Sequence, residues 1–197
     1  MKRMQNQRRW TMSALLALAA AAAVVAADVA ANQTLIANQS ELVYVTSTMG
    51  AEVEGGFSRF EAQIDLDPAK LQTSSVSFAV DTASVTFPSQ DVQKELVKPD
   101  WLDAARYPKA EFRSSRIQKM ADGRFQIAGT LTIKGHAHEV AFPTSLTHSG
   151  ATTFANGTLT VKRLDYGVGL GEWGDTSLVE DAVRIRFKIA LSGFAST

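Results

Sequence analysis

Cysteine is absent from the 197 residues, which removes disulfide staples and thiol chemistry together. No serine stands in a nucleophile-elbow sequence, and no glycine-rich loop leads from a strand pattern into a helix pattern, so the common hydrolase and phosphate-cradle motifs are missing. A basic excess is missing too. Lys and Arg number 20 and Asp and Glu number 20; four of the basic residues, Lys2, Arg3, Arg8 and Arg9, and none of the acidic ones fall in residues 1–27. The remainder therefore carries 16 basic against 20 acidic side chains, a net −4, which argues against a nucleic-acid partner because that would need a basic stripe.

A membrane-spanning run is also lacking. Residues 11–27 are apolar but fall short of the roughly 20 residues that a span needs, and they are mostly alanine. They follow the basic cluster and lead into the small residues Ala26, Ala27 and Ala31, which is the pattern of a cleavable secretory signal peptide. Cleavage is expected after Ala27, with Ala31 as the alternative site, leaving Asp28 or Asn32 first. Arg8-Arg9 hints at twin-arginine export but lacks the flanking pattern. The expected organisation is a signal peptide over 1–27, a linker over 28–39, one domain over 40–192 and a tail over 193–197.

What is present is alternation. Leu42, Tyr44 and Thr46 share one strand face; Phe60, Ala62, Ile64 and Leu66 oppose Arg59, Glu61, Gln63 and Asp65; Val76, Phe78 and Val80 form a third row. Phe112 sits on a weaker strand. Phe125, Ile127, Gly129, Leu131 and Ile133 then alternate up to a Lys-Gly-His break, and Val140 and Phe142 resume beyond it, which predicts a hairpin. Leu159 and Val161 add a row, and the last is Val183, Ile185, Phe187, Ile189 and Leu191 against Arg184, Arg186 and Lys188. Only residues 89–108 break the period: Ser89 is a candidate N-cap, Val92, Leu96 and Val97 have helical spacing, Asp100 could cap a second turn bearing Trp101, Leu102 and Ala105, and Pro108 ends it. The fold class is all-β, a single antiparallel barrel of about eight strands with a short helical excursion after the third, since closure removes exposed edges; a flattened sandwich is the alternative.

Few residues could carry chemistry. His136 and His138, two apart, would share a strand face as a metal pair, but a third ligand could come only from Glu139 or His148 if the fold brought them close. The plainer reading is a solvent-facing turn beside Gly135. Glu172 and Asp175 flank Trp173 in a Gly-rich stretch that reads as a mobile or tightly turning loop, with no helix N-terminus to hold a phosphate. No catalytic residues, metal or cofactor are expected.

The segments at residues 55–68 (GGFSRFEAQIDLDP), 76–85 (VSFAVDTASV), 98–115 (KPDWLDAARYPKAEFRSS) and 127–142 (IAGTLTIKGHAHEVAF), in that order, resemble the YceI-like family of periplasmic lipid- or polyisoprenoid-binding proteins, and GEWGDTSLVEDAVRIRF at 171–187 resembles one branch of it. The resemblance covers roughly residues 40–192. It implies a lipocalin-like barrel with an apolar tunnel for a long-chain isoprenoid, a polyprenyl phosphate or quinone-like lipid, and no enzyme activity. Phe60, Phe78, Phe112, Phe125, Ile127, Leu131, Phe142 and Phe187 would then form the wall, with Trp101 and Trp173 at the mouth. Met49 stands where many relatives carry a histidine, which removes that head-group contact. Periodicity alone favours a barrel filled with its own side chains. The branch resemblance implies a second reading, a module serving a cytochrome b-type membrane protein. The expected assembly is a monomer or homodimer.

Overall fold

The computed structural model describes residues 33–194. The signal peptide read in residues 1–27 lies outside the described residues. Within them the strands are β1 (Thr34–Leu35), β2 (Glu41–Thr48), β3 (Ala51–Phe57), β4 (Phe60–Asp65), β5 (Ser75–Asp81), β6 (Val85–Thr86), β7 (Lys109–Lys119), β8 (Phe125–Ile133), β9 (His136–Ser149), β10 (Thr152–Lys162) and β11 (Ala182–Ser192). One α-helix, α1 (Gln90–Leu96), stands between β6 and β7. All pairings are antiparallel, in the order β4-β5-β7-β8-β9-β10-β11-β2-β3-β6, with β1 on β11.

That path comes round on itself. β3 and β4 lie towards opposite ends of it yet are separated only by Ser58 and Arg59. At the N-terminal side Gln33 bridges Ile64 of β4 while the next two residues pair with Ser192 and Leu191 of β11. The Gln33 side chain extends the join, accepting from the Leu66 amide (2.8 Å) and donating to the Leu66 carbonyl (3.3 Å), so a buried amide serves as a piece of strand. The result is the expected lipocalin-like antiparallel barrel.

Two tight turns explain the hairpins. Met49-Gly50 and Lys134-Gly135 both have positive φ at both positions (50° and 79°, 50° and 78°), the geometry that matches the right-handed twist of the strands they join. The Lys-Gly-His break is thus a two-residue loop, and it sets Phe125 opposite Thr144, Ile127 opposite Phe142 and Leu131 opposite His138. The alternating rows converge on one core in which Phe142 packs between Phe112 (5.3 Å) and Phe187 (5.5 Å, edge-on).

Several expectations are corrected. Among the described residues the strands number eleven, because β3 (AEVEGGF) hides behind two glutamates and a Gly pair, and β1 and β6 are two residues each; the helix consequently follows the sixth of them. Ser89 does cap α1, its hydroxyl accepting from the Val92 amide. Asp100 caps no second helix: the chain after α1 runs through turns, with Leu102 and Ala104 amides returning to Leu96 and Val97 carbonyls, and Ala104, not Ala105, is the buried alanine. The fold starts before Ser40: β1 lies in the sheet, and the 3₁₀ turn Ala37–Gln39 is held against β11 by Ile36 N–H to the Ala190 carbonyl and Ala190 N–H to the Ser40 hydroxyl. At the other end Phe194 packs on the core and on His148.

Candidate functional site

The barrel interior is not filled. A deep compartment of ≈ 170 Å³ lies inside the main core, and every residue lining it is buried or half-buried. Phe60, Phe78, Phe112 and Phe125 are on its wall, as are Ile127, Leu131, Phe142 and Phe187. All eight side chains expected to face inward are therefore brought together, because alternation on β4, β5, β7, β8, β9 and β11 aims them at a common centre.

A second compartment of ≈ 410 Å³ adjoins the first, sharing Tyr44, Phe57, Leu102, Ile133 and Ile185 as a common waist. Trp101 and Trp173 both line it, their rings 5.6 Å apart and tilted by 48°. Met49, 77% exposed, also lines it, which makes this the end that reaches the surface. The strongly exposed large apolar residues of the described chain collect here: Met49, Val92 and Trp173 on the lining itself, Leu178 joined to Met49 through a backbone bond of 2.8 Å, and Leu170 accepting from the Trp173 amide. Both compartments are walled almost wholly by carbon.

The waist is built by a pairing legible only in three dimensions. Tyr44 on β2 lies across Gly55 of β3, and its hydroxyl donates to the Thr86 carbonyl at 3.2 Å. A Cβ at Gly55 would fall 2.2 Å from that hydroxyl, so glycine is required for the ring to cross. Burial pushes the phenol well above its ordinary range, which keeps it a hydrogen-bond donor.

The outer compartment is organised by Arg163, which is only 3% exposed. Its Nε donates to the Glu180 carbonyl (3.1 Å), one terminal nitrogen to Val168 and Gly169 (3.0 and 2.7 Å), the other to Trp173 and Val179 (2.7 and 2.8 Å). All five guanidinium N–H groups are thereby used, and they gather the segment from residue 163 to 181 around one charge. Burial lowers the pKa of Arg163, opposed by Asp181. The glycine-rich loop is thus a tightly tied wall. Lys134 makes a second tie from the β8–β9 turn, its Nζ donating to Pro99 (2.6 Å) and Gly167 (2.7 Å); burial lowers its pKa against the pull of Asp103 and Asp100. Neither cation is among the candidate residues marked by the sequence, although Arg163 falls two residues after Val161, just past the end of β10, and so continues that strand's inward row.

The candidate chemical groups separate. His138 Nε2 is 3.0 Å from the Asp165 carbonyl and its ring meets Tyr166 edge-on. Glu139 accepts from Thr130, and His148 bonds Thr153 (2.8 Å) near the far end of β9, twelve residues from His136 and so roughly 40 Å away along an extended strand. No group of three or more His, Asp or Glu suited to a metal occurs among the described residues. Asp175 accepts from the Ser177 hydroxyl and amide, which hold its carboxyl below the usual range, so it closes a turn.

Comparison with known proteins agrees with this architecture. The chain matches the YceI-like domain model over residues 33–191. BcnA of Burkholderia cenocepacia superposes with a TM-score of 0.76 at 37% identity, covering 79% of this chain and 98% of that one. A polyisoprenoid binding domain from Saccharophagus degradans superposes with a TM-score of 0.65 at 15% identity, over 82% and 98% of the two chains. A UPF0312 protein of Vibrio cholerae is 25% identical over 141 residues, 67% of this chain and 75% of its own length. The chain belongs to the YceI-like family.

Proposed function

We propose that this protein is a non-enzymatic carrier that holds a long-chain isoprenoid lipid inside its barrel, in the periplasm. The observation that carries the reading is the pair of joined apolar compartments, one deep and one reaching the surface. Together they fall in the roughly 300–1,000 Å³ typical of small-molecule sites, and their end-to-end arrangement suits a chain more than a compact ligand. At about 0.8 kcal/mol per buried methylene, a tail of several isoprene units supplies ample driving force without a special polar contact. The family and the polyisoprenoid-binding neighbour support the ligand class; the N-terminal pattern supports export.

The reading is tested by calorimetric titration of solvent-extracted protein with a soluble short-tailed isoprenoid. Binding with a negative heat-capacity change, the mark of apolar burial, is expected; no binding would refute it. The exposed apolar residues around the mouth favour a second reading, a docking module for a membrane cytochrome b-type protein. That reading needs no open interior, and co-purification of such a protein with an empty barrel would establish it.

A further inference from the structure

The acidic excess of the chain is concentrated at one end. Residues 89–108 and 163–181, the two segments that frame the outer compartment, hold nine Asp and Glu against four Lys and Arg, whereas the other residues within 33–194 hold ten against twelve. The mouth is therefore acidic and the remainder slightly basic. The cations at the mouth are also committed. Arg163 is buried on five carbonyls and Lys134, from the β8–β9 turn, on two. Lys94 and Lys98 pair with Asp91 and Glu95 (3.5 and 2.5 Å), and Arg106 lies over the Tyr107 ring. Glu172 and Glu180 are exposed and form no ion pair among the described residues.

These carboxylates stand among the exposed apolar side chains. Asp91 precedes Val92 and Glu172 precedes Trp173. The Asp100 carbonyl accepts from the Leu170 amide (2.9 Å), the Asp175 carbonyl from the Leu178 amide (3.1 Å), and the Glu180 amide donates to Ser47 (2.9 Å) in the hairpin that turns at Met49. Met49, Val92, Leu170, Trp173 and Leu178 thus come from three segments around one opening and form an apolar centre inside an acidic rim, the anatomy of a protein interface.

The charge decides between the surfaces that could cover it. A bilayer with anionic lipid repels the rim, and a neutral bilayer strips water from its carboxylates without pairing them. A second copy set mouth to mouth brings like charges together. A protein face rimmed by cations satisfies both the apolar centre and the carboxylates. We infer that the mouth end is a docking surface for a protein partner whose contact face is apolar at its centre and ringed by Lys and Arg. This goes beyond the carrier reading, since it concerns the rim of the barrel and not its contents.

The test places the photo-crosslinking residue p-benzoylphenylalanine at Met49, or as a control at exposed Lys119 on the far end of β7, in the full-length protein in cells of its own organism. The expected result is a protein adduct from Met49 and not from Lys119, with Lys or Arg flanking the crosslinked partner peptide. Glu172→Lys combined with Glu180→Lys is expected to cut that adduct at least about tenfold, because rim attraction becomes repulsion. If the charge-reversed protein fails to fold, the adduct formed without it decides, by the charge around the partner peptide. Adducts to lipid alone or to a second copy, no adduct, a partner peptide without basic residues, or an adduct that charge reversal leaves intact would each overturn the inference. Solvent extraction of the same purified protein is a separate readout: absence of lipid refutes the carrier reading and leaves the docking surface standing.

Discussion

Leu131 is where a wall and a core residue part company. It lines the deep compartment opposite the ring of Phe112 on β7, so a larger side chain has space to enter. In a fully packed interior, overpacking costs about 1–3 kcal/mol. Leu131→Trp is therefore expected to reduce bound lipid strongly while lowering the Tm of lipid-free protein by no more than about 2 °C; a fall of about 4–12 °C, the shift that 2–3 kcal/mol gives at about 2–4 °C per kcal/mol in a domain of this size, would mean that the site is packed core. Gly55 predicts the opposite pattern. Gly55→Ala puts a methyl 2.2 Å from the Tyr44 hydroxyl and 2.5 Å from the Thr86 carbonyl, and backbone cannot yield as a side-chain tip can. The variant is expected to lose about 1–3 kcal/mol in urea unfolding and to retain less lipid, because Tyr44 forms the waist.

Among the elements, the loop gathered by Arg163 is the most exacting. Arg163→Ala would leave five carbonyls, of Glu180, Val168, Gly169, Trp173 and Val179, without their donor. Orphaned buried acceptors cost about 1–3 kcal/mol each, less where water enters, so a loss of at least about 3 kcal/mol is expected. Arg163→Lys has three donors in place of five and should recover only part of it; full recovery of thermal stability by lysine would show that charge alone matters. The same loop carries an acid-sensitive turn. Asp175 has its pKa lowered by the Ser177 hydroxyl and then the Ser177 amide, so its contribution is fully present above the unfolded value of about 3.9 and is lost as pH falls through the lowered folded value. Trp173 fluorescence should change only below about pH 4, and Ser177→Ala should move the midpoint upward; a midpoint unmoved by that variant would contradict the assignment.

The same elements show what a sequence can disclose. β8, β9 and β11 were legible because their alternation is unbroken, and the two-residue turn at Lys134-Gly135 followed from the interruption between them. The inward direction of the eight side chains was legible for the same reason, since a strand period fixes a face; that they form a wall was implied by the family resemblance and not by the period. β3 was not, because Glu52 and Glu54 face outward to pair with Arg184 and Arg186 of β11 while Gly55 and Gly56 leave no row to read. Arg163 was hidden for another reason: its role depends on carbonyls that only the folded chain brings near.

At the scale of the whole molecule, the barrel can be closed and still hollow. Closure is secured at its edges, by β1 on β11 with Gln33 beside it bonding Ile64 and Leu66, and by the continuous run from β3 into β4, so the centre need not be tightly filled to keep the sheet in register. The core aromatics then serve as wall, with Phe142 held between Phe112 and Phe187. Native mass spectrometry of protein purified from its own organism, followed by solvent extraction, tests this account most directly. The expected result is a mass excess matching one isoprenoid chain per barrel that extraction removes without unfolding the protein; a protein whose native mass equals its bare polypeptide, with nothing isoprenoid in the extract, would contradict it.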